Sequence, residues 1–140
     1  MAFQLAGISL FPVLGAAVTA MAIGAFWYSP ACFGKVWIKL SGVSDATMQK
    51  AKKNGMGKYY AAAFLSNVVM AFVLSLVIKE ISNPGAIAGA FIGVLVWLGF
   101  IATVSLGMVL WEGKPFKLYL LNNAHELVIL VVMGAILGAF

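Results

Sequence analysis

One short segment, LYLLNNAHELV at residues 118–128, carries several polar side chains within an otherwise apolar region. It contains Asn122, Asn123, His125 and Glu126, which include the only histidine and one of only four carboxylates in the chain. A carboxylate can take up and release a proton, an imidazole can relay one near neutral pH, and amides can hold a ligand by hydrogen bonds. These residue types in one segment are typical of a titratable site.

The rest of the sequence shows what must position these side chains. Of 140 residues, 64% are hydrophobic and only 9% are charged. Four continuous apolar stretches each reach the roughly 20 residues that a helix needs to cross a bilayer. They are residues 8–28, 59–78, 84–110 and 116–140. Strands of a membrane barrel are shorter and alternate polar with apolar residues. The sequence therefore predicts an all-α integral membrane four-helix bundle, with residues 1–140 forming a single transmembrane domain.

The lysines indicate the orientation of this bundle. Eight of the nine basic residues lie in the first and third connecting loops, and only Lys79 lies in the second. The eight are Lys35, Lys39, Lys50, Lys52, Lys53, Lys58, Lys114 and Lys117. Basic loops stay in the cytoplasm, so we expect the cytoplasmic membrane as location and both termini outside. Residues 1–4 carry no basic residue, so we expect the first stretch to remain as a helix and not to be cleaved as a signal.

The cytoplasmic loop 30–58 has a pattern of its own. Around residues 33–40, apolar side chains fall on one helical face and lysines on the other, which predicts a short amphipathic helix at the membrane surface. Ser44 and Asp45 read as the start of a second short helix with a basic C-terminal end. Asn83 reads as the cap of the third spanning helix. We expect the loop lysines to attract anionic lipid headgroups in the bilayer, with a specific anionic ligand as the alternative.

Small residues recur at intervals of four in the spanning stretches. In lipid such spacing lets helix backbones approach each other closely. The residues concerned are Gly85, Gly89 and Gly93 in the third stretch and Gly134 and Gly138 in the fourth. The spacing leaves open whether these contacts form within one chain or between chains. Because four helices bury only a thin centre, we expect a homo-oligomer, with assembly into a larger membrane complex as the alternative.

Polar residues of all four stretches fall at similar depth. At 1.5 Å per residue, Asn122 and Asn123 lie about 9 to 10 Å in, and His125 and Glu126 about 13 to 15 Å in. Asn67 of the second stretch lies about 12 Å in. Three hydroxyl residues fall about 8 to 15 Å from the cytoplasmic end and are expected to line the same layer: Thr19, Thr103 and Ser105.

The fourth stretch has a predicted inward face. Asn122, His125 and Glu126 share one side of a helix, so Asn123 is expected to turn aside. His125 and Glu126 are about 100° apart around the helix, which places them poorly to pair within one chain. An ionised Glu126 at mid-membrane costs about 2.5 to 3.5 kcal/mol. Protonation, pairing with a histidine of a neighbouring helix or subunit, or contact with a water-filled cavity would offset that cost.

Two functions of different classes fit this layer. In the first, Glu126 loads and releases a proton in a transporter or channel-like protein, with His125 as relay and the amides as binding groups. In the second, the layer only fixes helix register in a structural or accessory subunit, since each interhelical hydrogen bond contributes about 0.6 kcal/mol. A cavity reaching Glu126 would favour the first function, and a dry, fully hydrogen-bonded layer would favour the second.

Other chemistry is less favoured. The chain has one histidine and one cysteine, Cys32, which form neither a catalytic triad nor a complete metal site within one chain. An enzyme is therefore the third function in order of preference. We name no catalytic residue, metal or cofactor. The chain has no arginine, and its lysines lie beside membrane segments, which argues against nucleic-acid binding.

The segment GAFWYSPACFGKVW at residues 24–37, with EGKPFKL at 112–118, resembles the bacterial and fungal membrane-protein family called domain of unknown function 1761. The resemblance covers nearly the whole chain and implies a four-span bacterial membrane protein; it carries over no catalytic or binding residue. In physical terms, Trp27 and Tyr28 mark the exit of the first span at the headgroups. Alternatively, Trp27, Tyr28 and Trp37 form the cytoplasmic mouth of a pocket above the polar layer.

Overall fold

The computed structural model describes residues 7–81 and 84–140, which are almost entirely helical. Four helices are long and apolar enough to cross a membrane, and two short helices separate the first from the second. In chain order the helices are α1 (Leu10–Trp27), α2 (Gly34–Ser41), α3 (Asp45–Lys53), α4 (Gly57–Glu80), α5 (Gly85–Leu110) and α6 (Phe116–Ala139). The predicted fold class is confirmed. The predicted cap Asn83 lies outside the described residues.

The long helices alternate in direction along the chain. One end of the bundle therefore carries the end of α1, the start of α4, the end of α5 and the start of α6, together with α2 and α3. The eight lysines of the first and third loops all lie at this end, which we call the basic end. Lys79, near the end of α4, lies at the opposite end.

Helix α6 is the central helix, because it packs against α1, α4 and α5. Its closest neighbour is α5, and glycines form this contact. A Cβ atom at Gly89 would fall on the carbonyl group of Gly134, and one at Gly93 would fall on the carbonyl group of Leu130. A Cβ atom at Gly138 would meet the carbonyl group of Gly85. Two backbones this close gain dispersion contacts that larger side chains would prevent.

The apolar core lies in the half of the bundle away from the basic end. Its buried residues come from all four long helices: Val13, Ala16 and Ala20 of α1, Ala71, Leu74 and Ile78 of α4, Ile92 of α5, and Ile129, Leu130, Met133 and Leu137 of α6. Nearer the basic end, every residue of α4 from Gly57 to Ser66 except Phe64 is exposed. The bundle is thus closely packed in one half and opens beside α4 in the other.

A tight turn connects α1 to α2. The backbone N–H of Phe33 donates to the carbonyl oxygen of Trp27 (2.9 Å), and that of Gly34 donates to Ser29 (2.9 Å). Gly34 is buried, and a Cβ there would collide with the carbonyl oxygens of Tyr28 and Ser29, so only glycine fits. This turn directs α2 back against α6.

Both short helices end or begin with the local signals expected of them. Gly42 ends α2 in the left-handed conformation (φ 70°), which glycine adopts without steric cost. The hydroxyl of Ser44 caps α3 by accepting the backbone N–H of Thr47 (3.2 Å).

Candidate functional site

The polar residues of the bundle form two separate groups around α6. On the side facing α5, Asn123 is the centre of what we call the hydrogen-bonded cluster, with Trp97, Ser105 and Tyr119. On the side facing α1 and α4, Glu126 and His125 line an open cleft. The layer that the sequence predicts as one unit is therefore divided.

The hydrogen-bonded cluster satisfies both ends of the Asn123 amide. Its Oδ1 accepts the hydroxyl of Ser105 (3.0 Å), and its Nδ2 donates to the carbonyl oxygen of Tyr119 (2.9 Å). Its backbone carbonyl accepts the indole N–H of Trp97 (2.9 Å). Asn123 turns to the α5 side of α6, away from the cleft, and it is only 4% exposed there. Because α6 has neighbours on several sides, more than one of its faces is interior.

The facing part of α5 is a π-helical turn, Trp97–Ala102. Side-chain hydroxyls bond to the carbonyl groups of this turn. The hydroxyl of Tyr119 donates to the carbonyl oxygen of Ala102 (2.7 Å), and that of Ser105 also lies 2.7 Å from the carbonyl oxygen of Ile101. Such turns often occur where a helix is adapted to a local site. Here the turn brings the indole of Trp97 to the backbone of α6.

Two of the predicted lining residues, Thr19 and Thr103, lie off the cleft wall and bond to their own helices. The hydroxyl of Thr19 donates to the carbonyl of Gly15 (2.8 Å), and that of Thr103 donates to Gly99 (2.7 Å). Short hydroxyl side chains readily make this local bond. Ser105, the third predicted lining residue, belongs to the hydrogen-bonded cluster and not to the cleft.

The cleft has a volume of about 330 Å³ and lies between α1, α4 and α6. Its polar wall residues come from all three helices or from their ends. The wall consists of Ala20, Met21, Gly24, Ala25, Tyr28, Tyr60, Ala63, Ser66, Asn67, His125, Glu126 and Ile129. Asn67 has no side-chain hydrogen bond to any residue that the structure describes, so its amide is available within the cleft.

Glu126 and His125 lie closer together than the sequence predicts. Glu126 Oε1 is 3.3 Å from His125 Nδ1, although the geometry is not that of a hydrogen bond. The two side chains therefore come into contact, since the glutamate side chain is long enough to reach around the helix, but they form no hydrogen bond. About 35% of the Glu126 side chain is exposed, so the carboxylate is accessible.

His125 is buried without a hydrogen-bond partner. The residue is 7% exposed, and neither Nδ1 nor Nε2 has a partner among the described residues. Trp27 Nε1 is buried and unpartnered in the same way. Each such group costs about 1 to 3 kcal/mol unless water or a ligand binds it. Gly24 makes room for the imidazole, because a Cβ there would be 3.3 Å from Nε2.

Aromatic residues cover His125 toward the basic end. The ring centroids of Tyr28 and Trp27 lie 4.9 and 5.9 Å from that of His125, and Trp37 meets the edge of Tyr28 at 6.0 Å. The hydroxyl of Tyr28 also donates to Asn122 Oδ1 (2.9 Å). Of the three aromatic residues expected at the mouth, only Tyr28 contributes to the cleft wall. Asn122 lies behind Tyr28 and is not on the wall.

Sequence reasoning missed several wall residues, among them Tyr60 and Gly24. A signal was present, because Tyr60, Ala63 and Asn67 follow i, i+3, i+7 spacing and so share one face of α4. Tyr60 reads from sequence as an interfacial aromatic, and Gly24 as a packing residue. Within residues 7–81 and 84–140, no group of three or more His, Cys, Asp or Glu side chains is placed to hold a metal ion.

Four apolar helices of spanning length define a multi-pass membrane protein. Residues 11–138 match the family described as "Protein of unknown function (DUF1761)", so the chain belongs to this family and the resemblance seen in the sequence is confirmed. No curated protein and no solved structure matches the chain.

Proposed function

We propose that this protein is a membrane transporter whose substrate site is the cleft, with Glu126 as the group that loads and releases a proton. The division of the polar layer carries this proposal: one part is hydrogen-bonded, and the other is open and partly unpartnered.

The register of α5 against α6 does not depend on the residues of the cleft. Asn123, Ser105 and Trp97 already connect α5 to α6 at this depth. An ionised carboxylate within a spanning helix costs about 2.5 to 3.5 kcal/mol. Glu126 forms no hydrogen bond to another described residue that would offset this cost. Titratable residues within membranes generally mark substrate or proton pathways. The hydrogen-bonded cluster fits the alternative function, that of a structural subunit, but this applies only to the residues of that cluster.

The proposal includes an orientation and a location. Basic loops remain on the cytoplasmic side during insertion. We therefore place the protein in the bacterial inner membrane, with the basic end on the cytoplasmic side and both termini on the outer side. Exposed lysines of α3 at that end would then lie near anionic lipid headgroups. A homo-oligomer remains a prediction.

Thiol labelling from each side of the membrane tests the transport function. In a Cys32→Ser background, Ser66→Cys changes one atom on the cleft wall, about 14 Å along α4 from its start. The matched control is Leu65→Cys, which adjoins it, is 64% exposed and lies off the wall. A membrane-impermeant maleimide is added to spheroplasts and, separately, to inside-out vesicles.

A transporter must expose its site to both sides in turn. We therefore expect the thiol at position 66 to react in both preparations, and the thiol at position 65 to react in neither because it faces lipid. Reaction from one side alone would contradict transport and leave a one-sided binding site. No reaction at position 66 from either side would favour the structural alternative.

A further inference from the structure

We propose that the cleft binds an organic cation with a hydrophobic body, and that its binding displaces the proton of Glu126. This inference rests on the proposed transport function and specifies its substrate class. It follows from the charge, the aromatic content and the position of the cleft.

The charge of the wall selects for a cation. Glu126 is the only carboxylate among the described wall residues, and none of those residues is a lysine or an arginine. The lysines of the adjoining α2, Lys35 and Lys39, are exposed and lie off the wall. An anion would meet the carboxylate with no lysine or arginine of the wall to pair with, whereas a cation would neutralise it in a region of low dielectric.

The aromatic residues favour a cation with a weakly hydrated, apolar surface. The rings of Tyr28 and Tyr60 lie at the wall, one at the end of α1 and the other on α4. Aromatic faces attract organic ammonium groups, and such cages recognise quaternary ammonium ligands. Met21 adds a flexible, polarisable side chain that adapts to irregular ligands. Four other wall residues are apolar and can contact a hydrophobic body: Ala20, Ala25, Ala63 and Ile129.

The size and position of the cleft fit a small amphiphilic molecule. Its volume of about 330 Å³ lies within the range of about 300 to 1,000 Å³ typical of small-molecule sites. The cleft lies beside the exposed turns of α4, whose outward residues Leu65 and Val69 are apolar. A hydrophobic cation that has partitioned into the bilayer can therefore reach Glu126 from the side.

Proton displacement follows from charge balance. A protonated Glu126 carboxyl and an arriving cation become a carboxylate–cation pair and one free proton, so total charge is conserved. The titratable groups facing Glu126 are Tyr28 from the end of α1, Tyr60 from α4 and His125 from α6. His125 Nδ1, 3.3 Å from Glu126 Oε1 and without a hydrogen-bond partner, is the nearest group that can relay that proton to water, where it is released.

Binding of benzyltrimethylammonium to the purified full chain in detergent tests the substrate class. Isothermal titration calorimetry compares this cation with neopentylbenzene, its neutral isostere, after subtraction of titrations into protein-free detergent. We expect the cation to bind at least about tenfold more tightly than the isostere. Glu126→Gln should remove most of that preference, while Glu112→Gln, an exposed carboxylate in the α5–α6 loop, should keep it. Titration in two buffers of different ionisation enthalpy should show proton release in the wild type that Glu126→Gln lacks.

Tyr60 provides a second test if Glu126→Gln does not fold. Tyr60 is 60% exposed, so Tyr60→Leu should fold and weaken cation binding about three- to tenfold, and Tyr60→Phe should lose less because it keeps the ring. Equal affinity for cation and isostere in the wild type, or unchanged preference in Glu126→Gln, would overturn the substrate class. If Ser66→Cys reacts from both sides although that result is obtained, the proposed transport function is retained and only the proposed substrate class is wrong. If position 66 is also unreactive, both proposals fail.

Discussion

The two polar groups around α6 should respond differently to the same substitution. Asn123→Leu removes the two side-chain hydrogen bonds, to Ser105 and Tyr119, from a residue that is only 4% exposed. Asn67→Leu makes the identical chemical change on the cleft wall, where the amide bonds to no described residue. The pair therefore separates a structural amide from a binding amide.

The magnitude follows from the bonds that are lost. At about 0.6 kcal/mol for an average hydrogen bond within a membrane protein and about 1.7 kcal/mol at most, Asn123→Leu should lower the free energy of unfolding by about 1 to 3 kcal/mol. Asn67→Leu should leave it nearly unchanged. Glu126→Gln should not lower it, because the amide keeps the shape of the side chain and removes a charge that is costly within the membrane.

Equilibrium unfolding of the purified protein in mixed micelles measures these differences. Sodium dodecyl sulfate is titrated into a mild detergent while far-ultraviolet circular dichroism and tryptophan fluorescence are followed, and coincident transitions confirm a two-state process. The reasoning would be refuted if Asn67→Leu or Glu126→Gln destabilised the fold as much as Asn123→Leu. That result would make the cleft residues structural and favour the accessory-subunit function.

Two further predictions concern the contact between α5 and α6. Gly89→Ala should lower the free energy of unfolding by about 1 to 3 kcal/mol, because its methyl group would overlap the carbonyl of Gly134 and force the helices apart. Gly99→Ala, on the same helix but facing open space, is the control and should have little effect in the same detergent titration. Trp97→Phe should lower the free energy of unfolding by about 0.6 kcal/mol, because it removes the indole donor to the Asn123 carbonyl. A decrease no greater than that of Gly99→Ala would show that this hydrogen bond contributes nothing to stability.

Local composition is enough to predict the membrane fold. Spanning helices appear as long apolar runs because every backbone polar group must bond within its own helix in lipid, and this depends on local composition alone. The eight lysines at one end and the capped helix beginning at Asp45 are likewise readable without tertiary contacts. For the same reason Glu126 stands out from sequence: a carboxylate in an apolar run is conspicuous wherever its helix packs.

Which polar residues meet depends on how the helices pack against each other. Spacing places Asn123 about 100° from Asn122 on α6, but it does not say that α5 packs on one side of that helix while α1 and α4 leave a cleft on another. The packing of α5 on α6 brings Gly89 to Gly134, a contact between segments distant in sequence. The length of a side chain matters as well. The glutamate side chain lets the Glu126 carboxylate contact His125, although the two residues point in different directions from the helix. Helix periodicity gives the direction of a side chain, whereas its partners depend on how the helices assemble.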